Sequence, residues 1–356
     1  MFPKYELPLL EGNYYEVGYQ HAEWWIRYLR RRKCKGYHDY YRRLLTRCWK
    51  PRFKPLFRNT LDAYPEIIFE ILGMTQALTD AGYKTSPLHV FANCLGETGH
   101  QGSQCTAFVV FNGLEIILAH NEEESEVSPL CIANVTITGK TKPVSFMAAS
   151  YPFQLFGSAF GGVNRHFAFQ GNSIGYAKHI KSIEATWGDR LPKTVFTRKW
   201  LEFESLGEAL TMCSQWLFSL PSHNYFITRD KAYSVEIRPL SKLMWRPLDQ
   251  ISLNEVHGLH CHTNQFIKES KTDSNWVWKY TSDRKESYER LKYVTTCLRS
   301  QHSLDHGSAI KIMSMIATHD KYIKKTSASF VIVSHPNIFS VQVAARFNGS
   351  CYSTDF

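Results

Sequence analysis

The chain has 356 residues, 44% of them hydrophobic and 21% charged, which is a globular balance. Its 14% aromatics exclude a disordered chain, and 20 Gly with 14 Pro exclude collagen-like or low-complexity classes. The longest apolar runs, such as 114–119, fall far short of the roughly 18 residues that a membrane span needs. The net charge of +10 is local: thirteen Lys or Arg lie between Arg27 and Arg58 against Asp39 alone, so the rest of the chain is close to neutral. The opening Met-Phe-Pro-Lys-Tyr-Glu has an acid by position 6 and no apolar core after it, so no secretory signal is expected. Nine cysteines with no CxxC pair argue against a disulfide framework or a zinc finger, and for a reducing, cytoplasmic setting.

Along the chain, Tyr14, Val17, Gly18, His21, Trp24, Trp25, Tyr28 and Leu29 recur at helical spacing and predict a helix over 14–31. The basic segment follows, with a second helix over about 37–48 and Tyr37, Tyr40, Tyr41, Trp49, Phe53 and Phe57 set among its bases. No base-reading motif accompanies it, so it reads as inward aromatics beneath solvent-facing bases, and a nucleic-acid partner is not expected. An acidic membrane surface or CoA phosphates are the other surfaces such a patch fits. A third helix begins at Pro65, a favourable first-turn residue, and carries Ile67, Ile68, Ile71, Leu72, Thr75 and Leu78. From Cys105 the texture changes to strands, over 105–111, 114–119, 134–138, 167–170, 225–227, 233–237 and 330–334. Helical patterns return at about 193–217, 284–299 and 307–317, with no internal repeat. Helices outside a strand-rich middle predict a layered α+β domain.

The chemistry concentrates in one hairpin. Asn112-Gly113 lies between two apolar runs, and a two-residue turn there pairs Phe111 with Leu114 and Cys105 with His120. One face then holds Cys105, Ala107, Val109 and Phe111 with His120, Leu118, Ile116 and Leu114; the other holds Thr106, Phe108 and Val110 with Ala119, Ile117 and Glu115. Both faces are largely apolar, so the hairpin is expected to be central and covered on both sides. A buried thiol, strand-end caps and a solvated acidic loop would account singly for Cys105, for His120 with Asn121, and for Glu122, Glu123 and Glu124. Core packing does not require them to meet at one end of one hairpin.

Gly-Ser-Gln104-Cys105-Thr-Ala-Phe, the Asn-Gly turn and Ala-His120-Asn121-Glu122-Glu123 resemble the cysteine N-terminal-nucleophile hydrolases of the isopenicillin N acyltransferase family. Further pieces follow the family's order. Gly12 through Gly18 resembles its opening helix start, and Pro65-Glu66 with Glu70 and Gly73 its next helix. Gly161-Gly162-Val163-Asn164 and Gln170-Gly171-Asn172-Ser173 resemble a strand pair, as do Ser222-His223-Asn224 and Tyr233 to Glu236. His262-Thr263-Asn264-Gln265-Phe266 resembles a His-Thr-Asn-His-Phe motif. The resemblance implies a four-layer α-β-β-α sandwich that cuts itself between Gln104 and Cys105. Residues 1–104, mainly helical, and 105–356, β-rich, would remain together as a heterodimer within one composite domain, and such pairs could dimerise further. The branch that hydrolyses β-alanyl-dopamine and related N-acyl biogenic amines is the one this chain is closest to in character.

That chemistry needs a thiolate, and a free thiol is mostly protonated at neutral pH. A chain beginning at Cys105 supplies its own base, an α-amine of pKa about 7.7–8. By resemblance Asn224 is the oxyanion donor and Glu123, or in its place Glu122 or Glu124, orients the new amino terminus, with His120, Asn121, Glu122, Asn172 and Asn264 around the substrate. Two positions depart from the family pattern. Gln104 stands where glycine is usual, and Glu123 where aspartate is, while strict alternation puts Glu122 rather than Glu123 on the face of Cys105. The acids Glu122, Glu123, Glu124 and Glu126 also offer a place for the ammonium of a β-alanyl group. No cofactor or metal is expected: His257, His260, Cys261 and His262 lack zinc spacing, and alternation splits them between two faces. An acyl-CoA-dependent acyltransferase, and an uncut, silent relative acting as a binding protein, are the alternative readings.

Overall fold

The computed structural model describes residues 7–31, 53–95, 104–111, 115–123, 129–174, 187–239, 250–264, 281–300, 305–318, 326–335, 338–345 and 350–355. The front holds β1 (Leu9–Gly12) and the helices α1 (Tyr14–Arg31), α2 (Lys54–Ala63), α3 (Pro65–Asp80) and α4 (Pro87–Asn93). A hairpin of β2 (Gln104–Phe111) and β3 (Ile116–Glu123) precedes β4 (Cys131–Ile137), β5 (Val144–Ser150), β6 (Gly161–Asn164) and β7 (Ala168–Ser173). Next come β8 (Arg190–Leu191), α5 (Lys193–Trp200), α6 (Leu206–Gln215) and β9 (Leu217–Phe218). They lead to β10 (Ser222–Ile227), β11 (Ala232–Ile237), β12 (Ile251–Val256) and β13 (Leu259–His262). The chain ends with α7 (Thr281–Arg299), α8 (His306–Thr318), β14 (Thr326–Ser334), β15 (Phe339–Ala345) and β16 (Ser350–Asp355).

Proline sets two of the helix starts, with Pro55 in the first turn of α2 and Pro65 in that of α3. Glycine then lets α1 and α3 touch backbone to backbone. A Cβ on Gly18 would lie 1.9 Å from the Glu70 carbonyl oxygen, and one on Gly73 would lie 1.9 Å from that of Tyr15. Each helix thus gives the other one residue without a side chain, and alanine at either position would push them apart.

Strands β1-β4-β5-β6-β7-β10-β11-β12 form one sheet and β13-β2-β3-β14-β15-β16 another. Among the described residues three apolar cores follow. In the first, Val17, Trp25, Ile67 and Ile71 of α1 and α3 meet Val135, Phe146, Phe169 and Phe226 of the larger sheet. The second lies between the sheets, where Ala107, Val109, Leu118 and Phe330 meet Met147, Val163, Ala168 and Tyr225. In the third, Phe108, Val110, Ile117 and Val331 pack on Val294 and Leu298 of α7 and on Ile312 and Met313 of α8. The fold is therefore mixed α+β, and the hairpin is covered on both faces as its two apolar faces demand. Strand β1 pairs parallel with β4, so residues before and after position 104 share one sheet as well as one core.

The hairpin register differs from the one a two-residue turn would set. Phe111 pairs with Ile116 and Cys105 with Glu122, not with His120, which lies opposite Ala107. A slip of two residues keeps every side chain on its expected face. Strand β3 also runs on through His120, Asn121, Glu122 and Glu123, because β14 pairs with it as far as Thr326 and Glu123. The helical stretch expected over 193–217 divides into α5 and α6, with Ser205 capping the second through Glu208 N–H at 3.2 Å. No described helix is long and apolar enough to cross a membrane. Residues 32–52 lie outside the described residues, and with them most of the basic segment and the helix expected over 37–48. So do Asn112, Gly113, Glu124, Glu126, Gln265 and Phe266.

Candidate active site

Strands β2 and β3 end together, and the pair Cys105–Glu122 turns its side chains into the space between the sheets. Cys105 is 1% exposed, and its Sγ lies 3.9 Å from Glu122 Oε2. The same oxygen is 2.9 Å from His120 Nε2, which sits two residues back on the same face. Glu122 Oε1 accepts a hydrogen bond of 2.6 Å from the Tyr151 hydroxyl. His120 Nδ1 reaches Gln170 Oε1 of β7 at 2.5 Å, which ties the two sheets together at the site.

The backbone of Cys105 is held as firmly as its side chain. Its N–H donates to Asn264 Oδ1 at 2.9 Å, and Asn264 Nδ2 donates to the Ser173 carbonyl at 2.7 Å. Arg290, 2% exposed on α7, donates to the Cys105 carbonyl at 3.0 Å, to Thr106 Oγ1 at 2.8 Å, to Asn264 Oδ1 at 2.9 Å and to Glu123 Oε2 at 2.6 Å. One guanidinium thus fixes four groups around the nucleophile, a use its planar fork of donors suits.

Burial pushes the Cys105 thiol well above the usual range. Lys193 and the Ser173 backbone N–H, which hydrogen-bonds the thiol, pull the other way. Beside this group, His223 and His262 stack with ring centroids 3.5 Å apart. Burial first, then the neighbouring histidines, holds His223 well below the usual imidazole range, so it is neutral. Asn172 Nδ2 approaches His262 Nδ1 at 3.2 Å, while Asn172 Oδ1 is buried without a hydrogen-bond partner.

Of the residues expected at the site, Cys105, His120, Glu122, Asn172 and Asn264 gather on this side of the hairpin. Glu123 and Asn121 turn to the helical side. Glu123 meets Arg290 and Thr106, and Asn121 donates to the Met313 carbonyl at 2.9 Å and accepts from Ser329 Oγ at 2.6 Å. Neither can touch a substrate between the sheets. Asn224 is misplaced for an oxyanion donor as well: alternation along β10 sends it to the face of Phe226, against the first helical core, where Nδ2 donates to Ser222 Oγ at 3.1 Å. His223 and Tyr225, its neighbours, take the inner face. Gln104 pairs with Glu123 at the first position of β2.

Sequence reasoning missed Arg290 and Tyr151. Arg290 stands among Arg284, Lys285, Glu286, Glu289 and Lys292, a pattern that reads as a solvated helix, and nothing local marks it as buried. His260 and His262 share the inner face of β13, and Cys261 pairs with Phe108 on the other, the split that alternation predicts. A ligand atom from each of Cys105, His120 and Glu122 lies within 4.8 Å of the others, the only such trio of His, Cys, Asp or Glu among the described residues. A divalent cation could span it. The hydrogen bonds from Tyr151 and His120 already account for the position of the Glu122 carboxylate, so the trio reads as a set that exchanges protons. No protein-family model matches this chain, and neither does any curated protein.

Proposed function

We propose that the chain is a self-processing cysteine amidohydrolase of the N-terminal-nucleophile type, with its helix, sheet, sheet and helix cores forming that class's four-layer α-β-β-α sandwich. It cuts itself between Gln104 and Cys105 and then hydrolyses a small N-acyl amine through an acyl-thioester on Cys105. The observation that carries this reading is the grip of Asn264 Oδ1 on the Cys105 nitrogen, beside a buried thiol that meets a carboxylate. A hydrogen-bond acceptor there would orient the new α-amine with its lone pair toward the thiol, so that one residue supplies nucleophile and base. Glu123, assigned that orienting role by resemblance, acts through Arg290 instead.

In turnover the thiolate attacks the amide carbonyl, and the donors on this face for the developing oxyanion are the Asn172 amide and the Ser173 N–H. The amine leaves with a proton from the Cys105 α-ammonium, and water resolves the thioester. For a β-alanyl amine, Glu122, which shares the inner face with Cys105, is the acid placed to receive the ammonium; Glu123 is already taken by Arg290. The two fragments stay together as a heterodimer because α1 and α3 share a core with β4, β5 and β7.

A denaturing gel of the purified protein beside Cys105→Ala tests this. Expected are fragments 1–104 and 105–356 from the natural chain, the second beginning Cys-Thr-Ala-Phe, and none from the variant. The cut protein should release free amine from N-β-alanyl-dopamine without CoA. An uncut chain with no amidase activity overturns the reading, and a strict need for CoA turns it into the acyltransferase.

A further inference from the structure

The uncut chain has a proton problem that the processed enzyme lacks. Once cleaved, Cys105 has an α-amine to take the thiol's proton. Before cleavage that nitrogen is an amide without basicity, and its hydrogen is committed to Asn264. The thiol must still lose its proton to attack, since the thiolate is the nucleophile.

We propose that Glu122 is the general base that starts self-cleavage, and that His120 is the positioning residue holding its carboxylate in the right charge state. The inference rests on Cys105 being the self-cleaving nucleophile. Glu122 Oε2 lies 3.9 Å from Cys105 Sγ, both groups are nearly excluded from solvent, and the two residues are directly opposed across the hairpin. Catalytic hydrogen bonds are often long in a resting site and tighten as the reaction begins. The Tyr151 hydroxyl occupies Oε1, which leaves Oε2 to face the thiol.

Proton counting supports the pair. With Gln170 Oε1 as its acceptor, His120 Nδ1 carries a hydrogen. His120 Nε2 and Glu122 Oε2, 2.9 Å apart, are then two lone pairs facing each other unless one proton lies between them. The pair is therefore neutral overall, whichever atom holds that proton. A neutral pair beside Sγ does not repel the thiolate as a bare carboxylate would. When it takes the thiol's proton it becomes singly positive next to the new anion, which keeps the charge separation short in a dry site.

The step balances without a cofactor. As the Sγ–C bond to the Gln104 carbonyl forms, the thiol proton moves to Glu122 Oε2. The C–N bond to Cys105 then breaks and the same proton passes to the departing nitrogen, which becomes the α-amine. Water hydrolyses the thioester, leaving the Gln104 carboxyl group and a restored thiol. From then on the amine is the base, and Glu122 is released for the substrate's ammonium.

The test follows cleavage of the full-length chain over time in the natural protein, Cys105→Ala, Glu122→Gln and Glu122→Ala, with thermal unfolding to verify the fold. Glu122→Gln keeps the volume and an acceptor for Tyr151, and it should slow cleavage by about 10²–10⁴-fold, the usual contribution of a general base. Formate should restore cleavage to Glu122→Ala in proportion to its concentration, a response no packing role produces. Glu122→Gln cleaving at the natural rate, or folded Glu122→Ala ignoring formate, overturns the role of Glu122 while leaving self-cleavage intact. A natural chain that stays whole overturns the self-cleavage reading itself, a different lane of the same gel.

Discussion

Two of the polar clusters buried among the described residues are built on opposite plans. Beneath α1 and α3, Arg198 binds Glu70 at 2.8 Å and Glu202 at 2.7 Å, while Lys199 binds Glu66 and Glu202, both at 2.7 Å. Lys140 reaches Glu202 at 2.6 Å, and the Tyr14 hydroxyl donates to it at 2.8 Å. Three cations thus meet three carboxylates, and the cations hold Glu202 well below the usual carboxylate range despite its burial. Between the sheets, by contrast, Glu122 meets a thiol, an imidazole and a phenol, each of which can give up a proton. Matched fixed charges hold a fold in place; a carboxylate surrounded by exchangeable protons is arranged to move one. Burial alone does not separate the two clusters, but the kind of partner does.

The sharpest way to break this contrast is Cys105→Ala, which should abolish both cleavage and amide turnover while leaving the melting profile close to the natural one; residual turnover would remove the nucleophile from the site. Arg198→Met should do the reverse. It strands Glu70 and Glu202 without their main partner and should cost about 3–5 kcal/mol of stability by denaturant titration, with the cleavage rate of folded protein unchanged. Within the reactive cluster, Asn172→Ala should lower kcat by about 10²–10³-fold, the scale of a lost oxyanion donor, and Asn224→Ala should leave kcat near its natural value. Equal losses from both would return the oxyanion to β10.

The smallest effect concerns His21 in the front core, which accepts from Trp25 Nε1 at 3.1 Å and contacts Ser150 Oγ at 2.8 Å. Burial lowers its pKa to about 3, from 6.5. As pH falls below 6.5 the unfolded chain therefore takes up this proton before the folded one does, and stability declines until about pH 3. Its share of the slope is at most about 1.4 kcal/mol per pH unit. His21→Asn should flatten the unfolding free energy over that window, and an unchanged slope would assign the acid response elsewhere.

Legible in the order of residues were the helix over 14–31 and the one beginning at Pro65, the two-sided burial of the hairpin, and the face shared by Cys105 and Glu122. These follow from side-chain periodicity, a property of each segment alone. Periodicity does not say how far two strands are offset, so the pairing of Cys105 with Glu122 waited on β14 extending the ladder to Glu123. Nor does it say which face of a strand looks inward when both are covered. Every residue of β10 is buried, and only the packing of Phe226 on the helices turned Asn224 away from the thiol. Arg290 and Tyr151 join the site from elements far along the chain, and a buried arginine has the same letters around it as an exposed one. Tertiary structure decided those residues because their roles depend on partners that no local pattern encodes.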